Sequence, residues 1–254
     1  MQTLRYGPSP DQEDDLHLTD RPRPPVVCLL HGGFWSMPYG RDQMSAVARD
    51  LAARGIAVWN IEYRRLGAPG GGWPGTLQDV ADAIDHLAVI AGGGIDIDLN
   101  RVFSVGHSAG GQLALWVAGR PRLSAGDPGA APRVRIAGVC AQAAVSDLVR
   151  AQELRLGGEV VNEFLGGTPG DVPERYRMAS PLSMLPLGVP QLILHGTADD
   201  AVPVGLSRAY ADAARAAGDP VEFVALPAAG HFAYLDPASD AHAALVRWLK
   251  PWAG

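Results

Sequence analysis

Residues 102–111 read VFSVGHSAGG, and this stretch decides the fold. The apolar run 102–105 predicts a buried strand. Gly106-His107-Ser108-Ala109-Gly110-Gly111 follows, and then a helical pattern at 109–118 that is apolar on most sides. Strand, sharp turn and helix in that order, with a serine between flanking glycines, form a G-x-S-x-G nucleophile elbow. The chemistry requires these residue types. The serine must sit on a strained turn, and glycines on either side let strand and helix pass without clashing side chains. The turn lifts the serine Oγ above the sheet and aims the helix N-terminus at the reaction centre. A dinucleotide-binding turn would need glycine where Ser108 stands. The side chain of His107 is expected to point away from the nucleophile.

Working outward, short apolar runs alternate with helical patterns. Strands are predicted at 26–30, 56–61, 136–140, 191–194 and 221–226, and helices at 40–54, 204–217 and 239–249. Another helix starts at Thr76 as its cap, with Asp79 in the first turn. Residues 16–18 add an antiparallel edge strand. Strands alternating with helices of this length give right-handed βαβ units and a mostly parallel sheet covered on both faces. The whole chain, 1–254, reads as one α/β domain. Residues 147–185 are too long for a simple crossover and are expected to form an insertion at the strand ends, where α/β sites lie.

Three further segments complete a set. His31-Gly32-Gly33-Phe34-Trp35 follows the strand at 26–30, and its glycines can turn backbone N–H groups towards a cavity, as an oxyanion hole requires. LHGTADDAVP at 194–203 ends a strand with adjacent carboxylates, and PAAGHF at 227–232 follows the last strand. The chain order Ser, Asp, His is that of a Ser-His-Asp hydrolase built on a parallel sheet. In such a triad the imidazole takes the serine proton while the carboxylate fixes its tautomer. Asp199 and Asp200 compete for the acidic role, with Asp147 a more distant rival. His31 and His195 read as structural histidines; His17, His86 and His242 read as surface or helix-face residues.

GHSAGG, HGGFW, LHGTADDAVP and LPAAGHF together resemble the α/β-hydrolase superfamily, from about residue 25 to the C-terminus. HGGFW, in place of the HGGG of hormone-sensitive-lipase-like esterases, is similar to the kynurenine formamidase group and its bacterial esterase relatives. NIEYRR at 60–65, GGGWPGTLQDV at 70–80 and VSDL at 145–148 are similar to that group as well. The resemblance implies an α/β-hydrolase fold with Ser108 as nucleophile, His231 as base and Asp199 as acid. Asp199 matches because Val202-Pro203 follows at the offset of the HG-x-x-D-x-x-V-P pattern. The N–H groups of Ala109, Gly33 and Phe34 would form the oxyanion hole, with Gly32 an alternative to Phe34.

Trp35, Tyr39, Trp73, Phe164, Leu165 and Phe232 flank these loops or lie in the insertion, and are expected to face the substrate. The insertion itself is expected to be a small lid, hinged at the glycines 157–158 and 166–167, with Phe164 or Leu165 near the acyl site. The expected activity is cofactor-free hydrolysis of small carboxylic esters through an acyl-enzyme. An arylformamidase acting on an N-formyl bond is the alternative, ahead of a short peptidase or a non-catalytic binding protein.

The composition agrees with a small-molecule substrate. With 21 Lys and Arg against 27 Asp and Glu, the net charge is −6, which argues against nucleic acid or an anionic membrane as the main partner. No stretch approaches the ~20 apolar residues of a membrane span. Cys28 and Cys140 both sit in apolar runs and form neither a disulfide framework nor a metal site. No His, Cys, Asp and Glu group has metal-ligand spacing, so no metal or cofactor is expected. A cytoplasmic location is expected from the lack of a signal pattern at the N-terminus. A homodimer is left open.

Overall fold

The computed structural model describes residues 1–252. Its centre is the run of five buried residues Val26–Leu30, β3 of an eight-stranded sheet. The other strands are β1 (Gln2–Arg5), β2 (Glu13–His17), β4 (Ala57–Ile61), β5 (Val102–His107), β6 (Gly138–Gln142), β7 (Gln191–Gly196) and β8 (Val221–Leu226). Their order across the sheet is β1-β2-β4-β3-β5-β6-β7-β8. The pairings β1 with β2 and β2 with β4 are antiparallel, and all the others are parallel. Every residue of β3 to β7 is buried, as expected where helices cover both faces.

Period-2 alternation divides each strand between two cores. Val26, Cys28 and Leu30 face one, together with α2 (Gly75–Gly92), α3 (Ala109–Gly119) and α7 (Val204–Ala216). Val27 and Leu29 face the other, with α1 (Ser45–Ala53) and α8 (Asp240–Leu249). Cys28 and Cys140 belong to opposite cores, and both thiols are free.

Several local expectations are corrected. Leu16 lies in β2, which is not the edge, because the polar strand β1 pairs outside it. Thr76 does not cap α2, which starts at Gly75. Its hydroxyl accepts from the Gly72 N–H at 2.9 Å and donates to the Arg64 carbonyl. Asp79, near the start of α2, is buried and takes a two-pronged bond from Arg64, at 2.8 and 2.6 Å. His242 is buried too, its Nε2 bonded to Asp50 at 2.6 Å.

The insertion holds α4 (Leu148–Glu153), α5 (Val160–Leu165) and α6 (Pro173–Ala179). Leu148, Ala151, Val161, Phe164, Leu165, Tyr176 and Ala179 are buried in the same core as α3. Gln112 and Trp116 of α3 donate to the carbonyls of Ala179 and Met178, at 2.8 and 3.0 Å. The segment packs on the core through these residues. Gly157, Gly158 and Gly166 have positive φ and shape the turns between its helices, Gly166 as the left-handed cap of α5. Among the described residues no helix is long and apolar enough to cross a membrane.

Candidate active site

Ser108 stands between β5 and α3 with φ 56 and ψ −119, a backbone state that costs about 1–3 kcal/mol for a residue with a side chain. The surroundings enforce it. A methyl group at Gly106 would run into the Gly110 carbonyl, and one at Gly110 into the carbonyls of Leu30 and His31. One at Gly111 would meet the Ala144 Cβ at 2.7 Å. The Ser108 N–H is pinned to the Gln142 carbonyl of β6 at 2.8 Å. Gly110→Ala is accordingly expected to destabilise the fold by about 3 kcal/mol, because the clash is with backbone and cannot be relieved by a rotamer. Urea denaturation checks this; an unchanged midpoint would contradict the close packing of the elbow on β3.

The loops after β7 and β8 bring Asp199 and His231 together. Asp199 Oδ2 accepts from His231 Nδ1 at 2.8 Å, and Oδ1 accepts from the N–H groups of Ala201 and Val202, at 2.9 and 2.8 Å. His195 Nε2 approaches the same Oδ2 at 3.3 Å. Asp200, its sequence rival, is exposed, and Asp147 caps α4 by accepting from Val149 and Arg150. Burial alone would raise the Asp199 carboxyl. Hydrogen bonds from His195, His231 and the Val202 N–H outweigh it and hold the group far below the ordinary carboxylate range.

With Nδ1 committed to Asp199, His231 presents Nε2 to the pocket it shares with Ser108. Among the described residues the Ser108 hydroxyl makes no hydrogen bond, and catalytic bonds of this kind commonly tighten once substrate is seated. His107 does not simply turn away. It donates from Nε2 to the His231 backbone carbonyl at 2.8 Å, and the two rings lie 4.7 Å apart. Burial, reinforced by the neighbouring His231, lowers its pKa to about 3, so it ties the elbow to the His231 loop as a neutral ring. Nothing in the sequence pattern signals this contact.

Gly33, Phe34 and Trp35 all have positive φ (103, 51 and 54), which turns the backbone of the HGGFW loop inside out. A side chain at Gly33 would collide with the Tyr39 ring. Among the described residues the N–H groups of Gly33, Phe34 and Ala109 donate to no protein acceptor. Gly33 and Phe34 line the Ser108 pocket, and Ala109 opens α3 directly after Ser108. Gly32 instead packs its α-carbon against the elbow, where a methyl group would lie 3.1 Å from Ser108 Cβ.

The loop is braced from behind. His31 contacts Glu62 Oε1 through Nε2 at 2.7 Å and the Gly32 carbonyl through Nδ1 at 2.8 Å, and stacks on Tyr63 at 4.3 Å. Burial works to raise the Glu62 carboxyl, but the bond from His31 and its charge bring it below its ordinary value. Trp35 is fully buried, stacks on Phe164 at 4.4 Å between ring centres, and donates its indole N–H to Gln112.

The pocket over Ser108 has a volume of about 110 Å³ and is bounded by Phe34, Tyr39, Gln43, Ala201, His231 and Phe232. Tyr39 and Phe232 both line it and are 51% and 68% exposed. Trp35, Trp73, Phe164 and Leu165 do not line this pocket. Trp35 stacks on Phe164, and the Trp73 N–H donates to the Phe164 carbonyl at 2.7 Å, while Leu165 is buried in the same core. Large aromatics beside functional loops are held by burial as readily as by ligand contact. Gln43 and Ala201 carried no sequence signal. Among the described residues no cluster of three or more His, Cys, Asp or Glu could hold a metal ion.

Residues 15–213 match the BD-FAE family. The chain belongs to the BD-FAE family. Esterase LipQ of Mycobacterium tuberculosis is 32% identical over 247 residues, covering 90% of this chain and 56% of LipQ. Esterase LipC of the same organism is 32% identical over 250 residues, covering 92% of this chain and 60% of LipC. The BD-FAE chain thus spans less than two thirds of the length of these relatives. Among solved structures, a truncated carbohydrate esterase from gut microbiota superimposes with a TM-score of 0.83 at 19% identity, covering 100% of this chain and 95% of that one. A propionate-bound esterase from Thermogutta terrifontis gives 0.78 at 22% identity, covering 98% and 92%. These likenesses establish the α/β-hydrolase fold.

Proposed function

We propose that this BD-FAE protein is a cofactor-free serine hydrolase that cleaves small carboxylic esters through an acyl-enzyme. The observation that carries the reading is the Asp199–His231 bond, with the free ring nitrogen of His231 in one pocket with Ser108. In the first step Ser108 Oγ bonds to the ester carbonyl carbon while its proton passes to His231 Nε2. The carbonyl oxygen, now negative, lies against the N–H groups of Ala109, Gly33 and Phe34. The carbon–oxygen bond to the alcohol then breaks, and the alcohol leaves with the proton from His231. Water repeats the sequence in reverse roles and releases the acid and free Ser108. The esterase names of LipQ and LipC support this reading.

Formamide hydrolysis would use the same groups, and its support is the HGGFW loop alone. Rates on p-nitrophenyl acetate and butyrate, measured beside N-formylkynurenine, test the choice. Ester kcat/KM is expected to exceed the formamide value by at least tenfold. The opposite ratio would make the protein an arylformamidase, and no turnover of either substrate would leave a binding protein on this fold. A cytoplasmic site of action accompanies the proposal, and cell fractionation tests it.

A further inference from the structure

A cavity of about 520 Å³ contains none of Ser108, Asp199 or His231. It is a groove between α4 and α7, walled mainly by Leu154, Leu182, Pro203, Leu206, Ala209 and Tyr210. It shares no lining residue with the Ser108 pocket, but three chain segments run from its walls towards that pocket. Asp147 on its rim follows Val145, whose N–H reaches the Ser108 carbonyl at 3.4 Å. Pro203 lies two residues beyond Ala201, which lines the Ser108 pocket. Leu154 precedes Gly157, where a Cβ would touch the Phe34 ring at 3.1 Å.

The charges at its rim are already engaged. Asp147 caps α4, and Arg150 pairs with Glu153 at 2.8 Å. What remains on offer is apolar surface, suited to an uncharged hydrocarbon group. Resting on the serine-hydrolase reading, the direction of that group follows from proton transfer. The leaving alcohol takes its proton from His231, so it departs past His231 and Phe232, at the exposed mouth. No residue of the His231 loop lines the groove, which lies beyond β6 and along α7. We propose that this groove is the acyl subsite and that the enzyme accepts extended apolar acyl groups, with the carbonyl at Ser108 and the chain between α4 and α7.

Gly205 and Ala209 are exposed groove residues on α7, and a side chain at Gly205 would meet open space. Gly205→Trp and Ala209→Trp therefore fill the groove from two positions without disturbing the core. The experiment measures kcat/KM on p-nitrophenyl acetate and octanoate, and on octyl acetate, per serine titrated by a methyl fluorophosphonate, with folding checked by circular dichroism. The wild type is expected to hydrolyse octanoate, and each tryptophan variant to lose at least tenfold in the octanoate-to-acetate ratio. A wild type that cleaves acetate and not octanoate would overturn the subsite. So would folded, titratable variants with ratios within twofold of wild type, or a loss confined to octyl acetate. A wild type whose Ser108 is not labelled and which cleaves no ester would instead refute the hydrolase reading, and the subsite with it.

Discussion

Ser108→Ala is expected to yield a folded protein whose ester kcat/KM falls by about 10⁴–10⁶. The fold should survive because the hydroxyl has no hydrogen-bond partner among the described residues, so its removal leaves no buried group unpaired. The elbow is held by backbone bonds, Ser108 N–H to Gln142 and Gly111 N–H to the Ser108 carbonyl, both of which alanine keeps. Alanine also has a Cβ, so the strain at φ 56 is unchanged. What vanishes is the atom that bonds to the carbonyl carbon. Residual turnover should reflect the oxyanion N–H groups and binding, which triad removal leaves in place elsewhere at 10³–10⁴ over water. Steady-state kinetics, a thermal melt and fluorophosphonate labelling measured together check the result. A variant with wild-type turnover and a wild-type melt would exclude Ser108 as nucleophile.

The features legible in the sequence are those whose physics is local. The five fully buried strands are built around short, mainly apolar segments, so they announce themselves without reference to the rest of the chain. The elbow is legible because its glycines answer to backbone contacts that no other residue tolerates. What sequence could not convey is which side of a loop a side chain occupies. Trp35 belongs to the HGGFW loop by position, yet its ring is buried and meets Phe164 from a distant segment. The same burial that made α5 look like an apolar lid face places it in the core. β1 was missed because an exposed edge strand carries no apolar alternation. The groove between α4 and α7 is formed by two elements that only the fold makes neighbours.

Asp199→Asn is expected to lower kcat/KM by about 10⁴ while Asp200→Asn stays within about twofold, and the contrast follows from the partners of each carboxylate. Asp199 Oδ1 is engaged by the N–H groups of Ala201 and Val202, so in the asparagine variant the amide oxygen must take that position. The amide NH₂ then faces His231 Nδ1, where the carboxylate had accepted. A donor there stabilises the tautomer that carries its proton on Nε2, and that ring cannot take the proton of Ser108. His195 Nε2, which donates to the Val202 carbonyl at 2.8 Å, lies 3.3 Å from the same carboxylate oxygen and offers the amide NH₂ no acceptor. The wild-type carboxylate does not suffer this loss through pH. With its pKa held far below the ordinary range by His195, His231 and the Val202 N–H against the opposing effect of burial, it stays charged throughout the range in which ester hydrolysis is assayed. Acid inactivation should therefore not report protonation of Asp199, and the acid limb should persist in Asp200→Asn unchanged. Asp200 is exposed and outside these bonds, so its neutralisation removes only a solvated charge. Full activity in Asp199→Asn beside a large loss in Asp200→Asn would transfer the acidic role to Asp200 and require the loop after β7 to be rebuilt around it.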